Sequence, residues 1–114
     1  MKRIDLIIRH EHFLEVNELL RKHEVGGMTF HSVKGRGRSR QEEIAYGGGI
    51  ARTVPEFVTQ TKIEVMVPDS IVKPIIDEIR AVLSKSSFPS GKIFVSDIVE
   101  AYSIDAERNG DAAL

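Results

Sequence analysis

The chain has no cysteine, which excludes disulfide bonds, thiol nucleophiles and thiolate metal centres. No apolar run approaches the roughly 20 residues that span a bilayer. No signal-peptide region precedes the first strand-like residues, so a cytosolic, globular protein is expected. Net charge is nearly absent as well. Sixteen Lys and Arg against 17 Asp and Glu leave −1, whereas a dedicated nucleic-acid binder is usually basic throughout. Aromatic residues are few, five Phe and two Tyr, and they offer no obvious platform for stacking bases. No serine or threonine stands near a convincing base partner, and nothing argues for an enzyme.

What remains is an ordinary soluble composition, 41% hydrophobic and 29% charged. Its 114 residues suit a single domain, 1–114, with a real core. Against this even background one stretch stands apart. In KGRGRSR, Lys34, Arg36, Arg38 and Arg40 put a positive charge at every second residue, with Gly35 and Gly37 between. Such a segment leaves backbone N–H groups and cations free to meet an anion such as phosphate.

Apolar spacing divides the rest. Ile4, Leu6 and Ile8 alternate as a first strand; Phe13, Val16, Leu19 and Leu20 recur at helical spacing, and Gly26-Gly27 reads as that helix's stop. Met28 to Lys34 is a second strand and Ile63, Val65 and Val67 a third. Pro68-Asp69-Ser70 reads as a turn and N-cap for a second helix carrying Ile71, Val72, Ile75, Ile76, Ile79, Val82 and Leu83. Pro74 is placed near the end of its first turn, where a missing N–H costs little. Ile93 to Val99 is a fourth strand, and the tail from about 105 to 114 reads as loosely held.

Residues 36 to about 59 follow neither period and hold Gly47-Gly48-Gly49 and Pro55. A polar, glycine-rich loop of this length in a small domain is usually functional. The order strand–helix–strand, long loop, strand–helix–strand gives an α+β, ferredoxin-like βαββαβ sandwich. Its antiparallel four-stranded sheet carries both helices on one face. Ile7 beside Ile8, and Val65-Met66-Val67, suggest that the other face is apolar too. A bare apolar face calls for a second subunit.

The recognised nucleotide motifs fail. Gly35-x-Gly37-x-Ser39 lacks the third glycine of a dinucleotide fingerprint, and Ser86 stands where a Walker A motif before Gly91-Lys92 needs glycine. Two anion-suited segments nonetheless fall at strand ends, Gly35–Arg40 and Ser90–Lys92, and the topology lets them converge on one edge of the sheet. The plainer reading is two unrelated polar turns. His10-Glu11-His12 has the look of a metal pair but lacks the cysteines of a zinc deaminase, and no metal site is assigned. Tyr46, beside the glycine triplet, is expected at an exposed loop tip as a contact residue.

Taken together, several stretches resemble the PII signal-transduction proteins, regulators of nitrogen metabolism. They are MKRIDLII at the start, Val25-Gly26-Gly27-Met28-Thr29, Val33-Lys34-Gly35-Arg36-Gly37-Arg38, Thr61–Val65, Ser90–Val95 and the closing Asp111–Leu114. The resemblance implies a homotrimer that binds adenine nucleotide, ATP, ADP or AMP, between subunits. It implies the base and ribose at Gly27, Met28 and Thr29, and the phosphates at Gly35, Gly37, Arg38, Gly91 and Lys92. Ile7, Glu64 and Met66 would line or brace the base pocket. The loop would dock on a partner such as an ammonium transporter or a nitrogen-assimilation enzyme, with Arg40, Tyr46 and Gly48 as its contact residues. Any membrane contact would run through that partner.

Departures from the family pattern matter equally. Ser39 replaces a glutamine that helps hold magnesium and 2-oxoglutarate, and Gln60 falls where a lysine pairs with that dianion; both argue against 2-oxoglutarate sensing. Ala51 replaces the tyrosine that some members modify. Ser103 and Asp105 replace two phosphate-facing arginines, and a carboxylate there opposes phosphate. Arg36 or Arg40 is the expected compensation. The outcome is weaker nucleotide binding or a preference for fewer phosphates, as in a divergent, PII-like sensor. The rival class is an RNA-binding βαββαβ module, but Arg36 and Arg38 stand where its stacking aromatics belong.

Overall fold

Strict alternation builds the two central strands. In β1 (Lys2–Arg9), Ile4, Leu6 and Ile8 point to one side and are fully buried. The computed structural model describes residues 1–38, 44–46, 51–53, 56–87 and 89–114, with 44–46 and 51–53 described by backbone alone. A 3-10 turn at His10–His12 leads into α1 (Phe13–Lys22), and β2 (Thr29–Gly35) follows. Then come β3 (Ile44–Tyr46), β4 (Ala51–Thr53), β5 (Val58–Val67), α2 (Asp69–Leu83) and β6 (Lys92–Asp97).

The main sheet runs β2-β5-β1-β6 with every neighbouring pair antiparallel. The two helices pack on one face. Val16, Leu19 and Leu20 of α1, and Ile75, Ile79 and Leu83 of α2, close over Ile4, Leu6, Ile8, Ile63, Val65 and Val67. Burying each such side chain contributes about 1.5–3 kcal/mol. This is the ferredoxin-like arrangement expected from the order of elements.

Several local expectations need correction. The first helix does not stop at Gly26-Gly27. It stops at Glu24, whose φ of 59° is left-handed, with Glu24 N–H donating to Arg21 O at 2.9 Å and Val25 N–H to Leu20 O at 3.1 Å. That crossed pair is a Schellman closure, a job usually given to glycine. Nor does a side chain cap α2. Pro68 precedes it without a capping bond, and Asp69 instead accepts from the N-terminal amine at 2.8 Å. Pro74 is the sixth residue of that helix, in the second turn, so the carbonyl of Ser70 loses its helical donor.

The segment 36–59 is not without regular structure. β3 and β4 pair antiparallel, with Ile44 opposite Thr53 and Tyr46 opposite Ala51, and β5 already begins at Val58. The tail is tied to itself: Tyr102 bridges Asn109, Ser103 N–H donates to Arg108 O at 2.9 Å, and Gly110 N–H to Ala101 O at 2.8 Å. Finally, the open face of the sheet is mostly polar rather than apolar. Register places Arg3, Asp5, Arg9, Lys62, Glu64, Gln60 and Lys92 there, with Ile7, Met66 and Phe94 among them. Val65 and Val67 both face the helices, because their spacing of two keeps them on one side. Among the described residues no helix is long and apolar enough to cross a membrane.

Candidate functional site

Directly opposed residues in antiparallel strands share a face, so the open side of the sheet can be read as rows. One row runs Thr29, Glu64, Asp5, Phe94; the next runs His31, Lys62, Ile7, Lys92; then Val33, Gln60, Arg9. The first row is acidic. Asp5 is 7% exposed, takes an ion pair from Arg3 at 3.0 Å and has Lys62 at 4.0 Å. The second and third rows are cationic, with Ile7 between two lysines. Lys34, Arg36 and Arg38 leave β2 at this same end. The charge on the face is therefore sorted along the strands, with Lys62, Arg9 and Lys92 toward the end that carries Gly35–Arg38.

Ile7, Glu64 and Met66 all lie on this open face, as a site there would need. Thr29 sits opposite Glu64 and donates its hydroxyl to the Glu64 carbonyl at 3.5 Å. Gly27 is exposed in the turn before β2, and nothing lies within 4 Å of where a Cβ would stand. Met28 behaves differently: it is half-buried and packs against the core. Arg36 is held outward, paired with Glu56 at 2.7 Å and stacked over Phe57 with its guanidinium 5.7 Å from the ring centre. Gly37 and Arg38 are exposed. Ser39, Arg40 and Gly48 lie outside the described residues, and of Tyr46 only the backbone is described.

Gly91 is required by its surroundings. Its φ is +124°, and a Cβ there would sit 2.7 Å from the Ile7 carbonyl oxygen. The loop entering β6 is thus pressed against β1 just where Lys92 starts the strand. At the other outer strand, a Cβ on Gly35 would meet Gln60 Oε1 at 2.7 Å, so Gln60 lies across the end of β2.

The two anion-suited turns do share one end of the sheet, but they do not converge within one chain. They belong to β2 and β6, the two outermost strands. Three strand spacings separate them, roughly 14 Å. Sequence reasoning left Lys62 and Arg9 out of the candidate site. The signal was present, since Lys62, Glu64 and Met66 occupy the positions that alternate with buried Ile63 and Val65. As for the histidines, His10 Nδ1 lies 3.4 Å from the buried Thr61 hydroxyl, and His12 lies against Glu15 at 3.4 Å. Among the described residues no cluster suited to a metal ion forms.

This build, a small sandwich with a long insertion beside a cationic sheet end, is shared with named proteins. The family model for nitrogen regulatory protein P-II matches residues 1–108. The nitrogen regulatory protein P-II 1 of Escherichia coli is 36% identical over 114 residues, covering 100% of both chains. The P-II protein of Bradyrhizobium diazoefficiens is 36% identical over 100% of this chain and 97% of its own. Among solved structures, a Bacillus subtilis GlnK–ATP complex superposes with a TM-score of 0.75 at 24% identity, over 99% of this chain and 96% of that one. The chain belongs to the P-II family of nitrogen regulatory proteins. It is accordingly a signal-transduction protein and not an enzyme.

Proposed function

We propose that this protein is a homotrimeric, cytoplasmic sensor that binds an adenine nucleotide in each seam between copies. The bound nucleotide sets the conformation of the segment 36–59, which regulates a partner protein such as an ammonium transporter or a nitrogen-assimilation enzyme. One observation carries the reading. The turns Gly35–Arg38 and Gly91–Lys92 sit at one end of the sheet on opposite outer strands, roughly 14 Å apart. The β2 edge of one copy laid beside the β6 edge of the next brings those turns together, with Ile7 flanked by Lys62 and Lys92 as the adjoining floor. The ATP complex of the GlnK relative supports an adenine nucleotide as the ligand.

The cationic groups available to phosphate are Arg38 and Lys92, with Lys62 nearby; Arg36 is already engaged by Glu56. Asp105 and Ser103 supply no positive charge from the tail. That balance favours a ligand with fewer phosphates, AMP or ADP over ATP, and leaves magnesium as an optional companion of the longer nucleotides. Gln60 in place of a cation at the end of β5 removes the partner that a 2-oxoglutarate dianion needs. Calorimetric titration of ATP, ADP and AMP tests the reading. One site per chain is expected, weakened at least tenfold by Lys92→Ala. Absence of binding by all three at millimolar concentration would exclude it.

A further inference from the structure

The ladder between β2 and β5 stops at Gly35, whose partner is Val58. The next residue out on each strand is Arg36 and Phe57, and the Arg36 guanidinium stands 5.7 Å over the Phe57 ring. One residue further, Glu56 accepts a hydrogen bond from Arg36 Nη1 at 2.7 Å. The two charges are 20 positions apart in sequence, but the ladder beneath has already brought their backbones together. Forming this clasp therefore orders two side chains and closes no new loop.

Among the described residues, Glu56 and Phe57 are the groups that Arg36 touches. The ion pair is open to water, its side chains 64% and 63% exposed. Such a pair is weak. A phosphate carries more charge than a carboxylate and also binds guanidinium in two-point fashion, so it competes well for Arg36. Arg36 is placed for that exchange, between Gly35 and Gly37 of the turn proposed to hold phosphate. The other cations there are limited. Lys62 is shared with Asp5 at 4.0 Å, which leaves Arg38 and Lys92. A monophosphate carries about two negative charges, which those two balance, and each further phosphate adds about one more.

We infer that Glu56 is a specificity-determining residue for the nucleotide, because it occupies Arg36 in place of a phosphate. A triphosphate must take the guanidinium from Glu56, whereas a monophosphate is held without it. The transfer also lifts Arg36 from Phe57 and parts the two ends of the segment 36–59 beyond the ladder. Phosphate-chain length is thus read at the root of that segment, a role that rests on the nucleotide reading above and names the residue setting its selectivity.

Calorimetric titration of AMP and ATP into the parent, Glu56→Gln, Arg36→Ala and the double variant tests this role. Glu56→Gln should tighten ATP about fivefold, the strength of an exposed ion pair, and move AMP by no more than about twofold. In the Arg36→Ala background the same substitution should leave ATP affinity unchanged. An equal gain in that background would trace the effect to a lost negative charge alone and overturns the inference. So does an equal gain for AMP. The chain has no tryptophan, so Phe57→Trp supplies a single fluorescent reporter, and indole faces hold guanidinium well. ATP should change its emission and AMP should not, while Arg36→Ala should produce the same change with no ligand present. Emission that stays constant while ATP binds shows Glu56 still holding Arg36, and the assigned role is then wrong although the nucleotide reading stands. If no adenine nucleotide binds at millimolar concentration, both fall together.

Discussion

At the residue scale, Gly91 and Glu24 show opposite relations between side chain and backbone. Gly91→Ala would place a methyl group against the Ile7 carbonyl at a φ that L-residues avoid. A loss of roughly 2 kcal/mol or more is expected in urea unfolding, together with weakened nucleotide binding, since Lys92 adjoins the strained loop. Glu24 already occupies a left-handed position that a Cβ disfavours. Glu24→Gly should therefore raise stability by about 1 kcal/mol, read from the same unfolding curves. Glu78 offers a pH test. Hydrogen bonds from Lys22 at 2.6 Å and from His23, also at 2.6 Å, hold its carboxyl below the ordinary value of 4.5. A carboxyl depressed in the folded state stabilises above its unfolded value and loses that contribution as pH falls through the folded one. Glu78→Gln should thus be less stable than the parent at neutral pH, and the difference should fade below about pH 4.5. A difference that persists unchanged in acid would remove the ion-pair account.

At the element scale, α2 carries an unusual burden. Pro74 in its second turn leaves Ser70 O without a helical donor, yet the helix continues to Leu83 because Ile75, Ile79 and Leu83 are anchored in the core. Pro74 itself is exposed, so alanine fits there without a clash. Pro74→Ala should raise the unfolding free energy, by about 1 kcal/mol after the unfolded chain's gain in freedom is counted, read from urea unfolding. The strands were legible for a simple reason. Ile4, Leu6, Ile8 and Ile63, Val65, Val67 alternate without exception, and two central strands covered on one side can read in no other register. Helix ends were less legible: Gly26-Gly27 carried the expected stop signal, but the backbone turned two residues earlier, where Val25 packs against the core and fixes the exit. The pairing of β3 with β4 was illegible for a related reason, since three-residue strands leave too short a pattern to see.

For the whole molecule, the relevant asymmetry lies between the two outer strands. β2 and β6 end at the same pole of the sheet with complementary equipment, and a single copy cannot use both for one ligand. Light scattering should accordingly give a mass near three times 12.7 kDa; a monomer at micromolar concentration would defeat the proposed seam. The sequence by itself determined the strand and helix order, the inward faces of the central strands and the local character of the anion-suited turns, because each depends on residues a few positions apart. Which of those turns meet, which face is charged, and that Lys62 and Arg9 join Lys92 at one pole were decided only by the tertiary structure. Register and strand order link residues more than twenty positions apart, and no local pattern records such distances.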